Sequence, residues 1–151
     1  MLVAGCSGPQ TEQEPDYPIQ PIPTEHRQEI VLTAMGLMGS PYRFGGSDPD
    51  IGFDCSGLVK FVFRKVAGAQ LPRTTGSQAA ISRRIVRRDL RPGDLVFFNT
   101  LGKPNSHVGI YIGNDQFVNA PSSGGRVRID SMHNPYFAKR FTAARTLFAN
   151  R

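Results

Sequence analysis

The sequence has 151 residues, of which 39% are hydrophobic and 20% charged, an ordinary composition for one globular domain with its own core. Its formal charge of +6 and isoelectric point near 9.8 favour anionic partners such as nucleic acid, membrane surfaces or acidic cell-wall polymers. No window reaches the apolar length of a membrane-spanning helix, so any membrane attachment would be by lipid.

The first six residues contain one of the two cysteines. The stretch VAGC at 3–6 resembles a bacterial lipobox, in which small residues precede a cysteine that is lipidated. The charged and apolar parts of a signal peptide are missing, so either the natural start lies upstream or the segment is trimmed. A chance tetrapeptide is the alternative. Because Cys6 and Cys55 lie in segments of very different character, no disulfide is expected between them.

Residues 7–23 are predicted to be a flexible tether. The segment is polar and rich in proline, a composition that cannot bury enough apolar surface to fold and that prefers extended conformations. We therefore expect three parts: a lipobox remnant at 1–6, this tether, and a folded domain at 24–151.

Two helices are predicted in the first half of that domain. The first has Thr24 as a plausible N-cap, carries apolar residues at helical spacing and ends before Pro41. The second begins at Cys55 within GFDCSGLVKFVF (52–63), where an irregular approach becomes an amphipathic stripe, and Gly68 stops it. Cys55 thus begins the buried face of the second helix.

After a polar segment, LPRTTGSQ (71–78), the hydrophobic period changes from about 3.6 to 2, which is typical of strands. The predicted strands are DLVFF (94–98), HVGIYI (107–112), QFVNA (116–120), RVRI (126–129) and TAARTLF (142–148). The basic run RRIVRR (83–88) has no interleaved aromatic residues for stacking on bases, so it is interpreted as a solvated loop or edge and no nucleic acid is expected. Because helices precede an antiparallel sheet, the predicted class is α+β.

Cys55 can be a core residue or a nucleophile. A lone cysteine at the edge of a helical stripe is more often a small buried residue. The unpaired N–H groups and the dipole of a first helical turn, however, favour a thiolate and could donate to an oxyanion. Asp54 is well placed to cap the helix, but its charge would disfavour a neighbouring thiolate. A base is therefore needed nearby.

His107 is the preferred base among the three histidines. His26 lies in the first turn of the leading helix and His133 in the loop SMHNP, and both are interpreted as surface residues. His107 opens the strand HVGIYI and shares a strand face with Gly109, which leaves open space beside it.

The hairpin after that strand decides whether Asn119 can act with His107. If 113–115 forms a three-residue loop, Gly109 pairs with Asn119, and the two polar side chains share one sheet face within reach of each other. That face is expected to be the one covered by the Cys55 helix. A two-residue loop would put Asn119 on the opposite face. An ordinary polar strand residue is the alternative for Asn119.

The motifs PYRFGG, FDCSGLV, LPRTTGSQ, RPGDLVFF, HVGIYIGNDQFVNA and NPYF occur in this order and resemble the NlpC-type family of bacterial cell-wall cysteine peptidases. The resemblance covers nearly everything from Thr24 to the C-terminus. It implies a compact papain-like fold, with the nucleophile helix packed on an antiparallel sheet, and hydrolysis of amide bonds in peptidoglycan stem peptides. No cofactor or metal is implied, and the sequence has neither an HExxH pair nor clustered cysteine ligands.

The resemblance also implies roles for individual residues. It makes Cys55 the nucleophile, His107 the general base and acid, and Asn119 the residue that orients the imidazole. Asn119 departs from the family, in which this position is often histidine, but Cys-His-Asn is a working variant of the same logic.

Further residues are assigned to the oxyanion or to substrate binding. Tyr42 matches a family tyrosine beside the cysteine, and Asp54 and Ser56, which flank the cysteine, are placed in the same group. Three arginines could bind the carboxylates of an acidic stem peptide, although each is individually more typical of a solvated surface: Arg43, Arg73 and Arg126.

The implied setting is the bacterial envelope. Ser7, not an aspartate, follows Cys6, which suggests an outer-membrane lipoprotein that faces the periplasm and is held by its lipid anchor alone. A monomer acting on peptidoglycan stem peptides is expected. Two other functions stay open: a non-catalytic module that binds the cell wall, and an amidase or acyltransferase of the same superfamily.

Overall fold

The structure, a computed structural model, describes residues 20–149. The expected anchor at Cys6 and residues 7–19 of the expected tether lie outside the described residues. The helices are α1 (Arg27–Gly36), α2 (Cys55–Ala67), α3 (Thr75–Ile81) and α4 (Pro135–Ala138). The strands are β1 (Ser47–Asp48), β2 (Gly52–Phe53), β3 (Arg83–Ile85), β4 (Leu95–Phe98), β5 (His107–Gly113), β6 (Gln116–Asn119), β7 (Arg128–Ser131) and β8 (Phe141–Thr146). Short 3₁₀ turns lie at Thr24–His26, Arg87–Asp89 and Ser122–Gly124.

Six of the strands form one antiparallel sheet in the order β3-β8-β4-β5-β6-β7, and β1 and β2 form a separate pair. Helices α1 to α3 precede all six strands of this sheet in the chain, so the predicted α+β class is confirmed. No helix among residues 20–149 has the length and apolar character needed to cross a bilayer.

The main core lies between one face of the sheet and the helices α1 and α2. The stripe predicted for the second helix is buried there, and it meets alternate apolar residues of β5 and β6. The residues of this contact are Leu58, Val59, Val62 and Phe63 of α2 and Val108, Ile110 and Val118 of the sheet. Since α2 is capped by Asp54 and stopped by left-handed Gly68, its predicted bounds are also confirmed.

The other face of the sheet has a core of its own. Phe98, Tyr111 and Phe117 point to this side and pack with Phe137 of α4 and with Met132. His107 belongs to the same face, where its ring stacks on Phe137 with centroids 5.9 Å apart. The expectation that His107 shares the face covered by the Cys55 helix is therefore wrong, because strand alternation sends its side chain to the α4 side.

Several local predictions change. Thr24 is not a helix N-cap: it opens a 3₁₀ turn after Pro23, and α1 follows that turn. Ile22, assigned to the tether, is 3% exposed and bridges Phe148, so the folded part includes it. The polar segment LPRTTGSQ ends in a helix, α3, which the side chain of Thr74 caps. β7 (Arg128–Ser131) is shifted by two residues toward the C-terminus from the predicted strand at 126–129.

The basic run 83–88 matches its prediction. It begins as β3, which is an edge strand of the sheet, and its four arginines are exposed.

A buried carboxylate ties α1 to the sheet. The side chain of Asp94, just before β4, accepts hydrogen bonds from Arg27 Nη1 at 2.9 Å, Thr146 Oγ1 at 2.6 Å and the Arg91 backbone N–H at 2.9 Å. The Arg27 guanidinium also lies 4.1 Å from the centroid of the Phe148 ring. Because the Asp94 side chain has no solvent exposure, these donors replace the water that it loses on folding.

We expect Asp94→Ala to lower the free energy of unfolding by about 3–5 kcal/mol, because it leaves the largely buried Arg27 guanidinium without its counter-charge and removes the acceptor of Thr146. Urea unfolding of the full chain, followed by circular dichroism, measures the change. Asp89→Ala is the matched control, since Asp89 is an exposed carboxylate five residues earlier. Equal unfolding midpoints for the two variants would contradict this account of Asp94.

Candidate active site

Cys55 is the first residue of α2 and is half-buried. The Asp54 side chain accepts from the Gly57 backbone N–H at 2.8 Å, which fixes where the helix begins. A side chain at Gly57 would overlap the Gly46 carbonyl oxygen, so only glycine lets the loop close over this first turn. The helix entry thereby presents the thiol at a turn whose N–H groups point outward.

The thiol lies against the start of β5. Burial raises the pKa of Cys55, the backbone N–H of Val108 lowers it, and the charge of Asp54 raises it again. Val108 directly follows His107, so α2 brings Cys55 to the end of the strand that carries the predicted base. Because burial dominates, the resting cysteine is a neutral thiol that needs a base to become a nucleophile.

His107 is buried and holds a hydrogen bond with Asn119. Its Nε2 lies 2.8 Å from Asn119 Oδ1, as the sequence predicts for a shared face. An ideal Cβ placed on Gly109 would come 3.3 Å from the Asn119 Cβ, so the glycine faces Asn119 across the hairpin. The predicted meeting of His107 and Asn119 is therefore present, although on the α4 face of the sheet.

The hairpin loop differs from the predicted one, although Gly109 still faces Asn119. Gly113 pairs with Gln116, so the loop has two residues, Asn114 and Asp115, both with φ of 56°. The ladder then shifts between Tyr111 and Gly113. Ile112 is the extra residue of this bulge, and it restores the pairing that a three-residue loop would give. The predicted loop length is wrong, the predicted position of Asn119 opposite Gly109 is right, and the sheet face predicted for Asn119 is wrong, since it shares the α4 face with His107.

Asp130 on β7 fixes the orientation of the Asn119 amide. Asn119 Nδ2 donates to Asp130 Oδ2 at 2.8 Å and to the Arg128 carbonyl at 3.3 Å. A carboxylate can only accept, so the amide oxygen must face the histidine, and His107 Nε2 carries a proton that it donates. In neutral His107 the other nitrogen, Nδ1, is consequently the unprotonated one.

The electrostatics of His107 follow from the same contacts. Burial lowers its pKa below the ordinary value, and the Asn119 hydrogen bond and the Asp130 charge act in the opposite direction. Arg128, whose Nε donates to Asp130 Oδ2 at 2.8 Å, lowers the pKa further. The imidazole is therefore neutral near pH 7 and able to take a proton.

Asp54 is mainly committed to structure. Arg73 donates to both of its carboxylate oxygens, at 3.0 and 2.8 Å, and to Ser56 Oγ at 2.9 Å. Gly45 N–H donates to Asp54 Oδ2 at 2.9 Å. Arg73 is thus an ion-pair partner that offsets the charge next to Cys55, rather than a solvated surface arginine.

Tyr42 lies beside the cysteine, as its predicted role requires. Burial raises the pKa of its phenol, and so do the neighbouring Asp54 and Cys55. The phenol therefore keeps its proton at neutral pH and can donate a hydrogen bond.

The remaining candidates lie elsewhere. His133 is exposed and 2.9 Å from Asp115 at the tip of the hairpin, and His26 is half-buried in the first 3₁₀ turn. Arg43 and Arg126 are exposed, and Arg126 donates to the Gly39 carbonyl. Within residues 20–149, no group of three His, Cys, Asp or Glu side chains is arranged to hold a metal ion.

Sequence reasoning missed Asp130 and Arg128. The period-2 pattern of RVRID contains the signal, because the charged residues alternate with Val127 and Ile129. Pairing of Asn119 with Arg128 across β6 and β7 was the missing step.

Known proteins share both this sequence pattern and this fold. The chain is 48% identical over 111 residues to murein DD-endopeptidase MepS/murein LD-carboxypeptidase of Escherichia coli K12, covering 74% of this chain and 57% of that protein. It is 40% identical over 114 residues to murein DD-endopeptidase MepH of the same organism, covering 74% and 42%. The chain thus spans about half the length of the curated relatives it matches.

The fold comparison agrees. A crystal structure from Staphylococcus aureus, of a protein of the NLP/P60 family described as similar to lipoprotein, aligns with a TM-score of 0.75 and 30% identity, covering 87% of this chain and 44% of that one. The expected papain-like arrangement is confirmed. The NlpC/P60 family profile matches residues 39–146. Since that match takes in well over half of the sequence, including both strands and the helix that form the site, the chain belongs to the NlpC/P60 family.

Proposed function

We propose that this protein is a peptidoglycan hydrolase that cleaves an amide bond in murein stem peptides through Cys55, His107 and Asn119. The observation that carries the proposal is the hydrogen-bond chain from His107 through Asn119 to Asp130, because it leaves Nδ1 as the basic nitrogen of a buried ring. The murein endopeptidases among its relatives support the substrate class.

Acylation begins with transfer of the thiol proton of Cys55 to Nδ1 of His107. The thiolate attacks the carbonyl carbon of the scissile amide, and the carbonyl oxygen becomes an oxyanion. Backbone N–H groups of the first turn of α2 and the Tyr42 hydroxyl donate to this oxygen. Asp54 and Ser56, tied to Arg73, hold the turn in place for that contact.

Breakdown of the tetrahedral intermediate returns the proton. The imidazolium of His107 protonates the departing nitrogen, the C–N bond breaks, and a thioester to Cys55 remains. A water molecule, deprotonated by Nδ1 of His107, then attacks the thioester and releases the acid product with the free thiol. Asn119 keeps the ring in one orientation throughout both steps.

The proposal includes an envelope location. The proposed peptidoglycan substrate supports a periplasmic location for the folded domain, and the lipobox-like VAGC at 3–6 supports a lipid anchor in the outer membrane. The proposed unit of activity is a single domain, since Cys55, His107 and Asn119 all come from one chain.

Cys55→Ala should abolish cleavage and keep the fold, because the covalent route needs sulfur and the substitution is small. Cys55→Ser should be nearly inactive, since a hydroxyl is a far weaker nucleophile at neutral pH. Mass spectrometry of defined muropeptides after incubation measures cleavage, and Cys6→Ala is the cysteine control with wild-type activity in the soluble domain. Stem-peptide cleavage by Cys55→Ala would falsify the mechanism.

Asn119→Ala should reduce kcat/KM clearly but less than Cys55→Ala, because it misplaces the base without deleting it. Asn119→His should keep substantial activity.

The pH profile of kcat/KM gives a second readout. In the wild type, kcat/KM should fall as pH drops through the lowered pKa of His107, below pH 6.5.

The charge of Asp130 raises the pKa of His107, so Asp130→Asn should move this acid limb to still lower pH. Asp89→Asn serves as the control and should leave the limb in place. If the acid limb of kcat/KM lies at the same pH in Asp130→Asn as in the wild type, Asp130 does not act on the base.

Cys6 should carry the lipid if the protein is made with its signal segment. A fatty-acid probe should label the wild type in cells and should leave Cys6→Ala unlabelled, while Cys55→Ala should label like the wild type. Equal labelling of wild type and Cys6→Ala, or none in either, rules the anchor out.

A further inference from the structure

A pocket of about 130 Å³ opens beside His107, between the 3₁₀ turn Ser122–Gly124 and the start of α4. Its lining includes His107, Arg128, Ser122, Ser123 and Asn134. Of the proposed reacting pair, His107 lines the pocket, whereas Cys55 is not among the described residues that form its wall.

Under the roles proposed for Cys55 and His107, that lining puts the pocket on the leaving-amine side of the scissile bond. In a cysteine peptidase the nucleophile binds the acyl carbon, whereas the general acid contacts the departing nitrogen. A pocket that adjoins the acid but not the nucleophile therefore receives the residue that supplies the leaving amine.

Arg128 gives this pocket its charge. Its Nε is held by Asp130 Oδ2 at 2.8 Å, and its side chain keeps 44% of its solvent exposure. Nη1 and Nη2 make no hydrogen bond within the part of the chain that the structure describes. With one edge of the guanidinium anchored, the outer N–H groups keep the forked geometry that pairs with a carboxylate.

Gly124 supports the same orientation. An ideal Cβ at this position would lie 2.5 Å from Arg128 Nη1 and 3.0 Å from Cζ, so the guanidinium packs directly on the glycine backbone. The hydroxyls of Ser122 and Ser123 add donors at the exposed rim. The site is thus built from a fixed cation and neutral donors, which suits an anion.

We infer that this pocket binds a free carboxylate on the leaving residue of the substrate, and that the guanidinium of Arg128 pairs with that carboxylate. The inference rests on the proposed function, since it names the substrate feature that the same site recognises. Its chemical class is an acidic peptide in which the residue on the amine side of the scissile bond carries a carboxylate, in preference to the corresponding carboxamide.

The test uses two synthetic murein stem peptides that differ only at the residue on the amine side of one amide bond, which carries a free acid in one peptide and a carboxamide in the other. A hydrogen bond to a charged group predicts about a tenfold or greater preference of kcat/KM for the acid. Arg128→Gln should bring that ratio close to one by losing turnover of the acid. Gly124→Ala should lower the ratio in the same direction.

Arg84→Gln is the matched control, because Arg84 is an exposed arginine on β3 at the opposite edge of the sheet, and it should keep the wild-type ratio. Equal rates for the two peptides in the wild type would overturn the inference. So would an equal loss for both peptides in Arg128→Gln, since that pattern reports a role through Asp130 alone.

Binding separates this inference from the proposed reaction. Calorimetry with Cys55→Ala, which cannot turn over, compares the affinities of the acid and the carboxamide directly. If the acid binds more tightly than the carboxamide and the difference disappears when Arg128→Gln is added, the carboxylate site is supported whether or not either peptide is cleaved. A failure of the wild type to cleave either peptide would contradict the hydrolase proposal and leave that binding result unaffected. Equal affinities overturn the carboxylate site even if both peptides are cleaved.

Discussion

The entry of α2 into the protein interior depends on the carboxylate of Asp54, which satisfies one N–H of the first turn, that of Gly57, and leaves the turn's other N–H groups available. This carboxylate accepts from Gly57 in the helix, from Gly45 in the preceding loop and from Arg73 in the segment before α3. Three segments distant in sequence therefore converge on one side chain. The same charge disfavours the Cys55 thiolate, so the structural solution makes an external base necessary.

The proposed base, His107, extends from the other side of the sheet. Cys55 stands on a helix that covers one face, and His107 extends from the opposite face, against Phe137 of α4. Cys55 comes near His107 because α2 brings its first residue against the Val108 backbone, next to His107 at the start of β5. Correct geometry thus depends on two separate cores, and a packing defect in either one misaligns the pair.

Local pattern predicted what is local in the site. The helix from Cys55 to Gly68 and the alternation of β5 could be read from spacing, because single elements set them. The face on which His107 lies could not, since the second core comes from the distant Phe137. The contact between Asp130 and Asn119 was not predicted for a similar reason. The two residues lie on different strands, and the sequence of one strand alone does not determine its register with the next.

The bulge at Ile112 has a consequence for how this hairpin can evolve. Between the paired residues Tyr111 and Phe117, the chain has one residue more than a regular two-residue hairpin needs. A homologous chain lacking one residue of 112–115 would close as an uninterrupted ladder with the same Tyr111–Phe117 pair and would leave Asn119 opposite Gly109. The bulge absorbs the extra residue, so a change of one residue in the loop leaves the pairing that puts Asn119 opposite Gly109 unchanged.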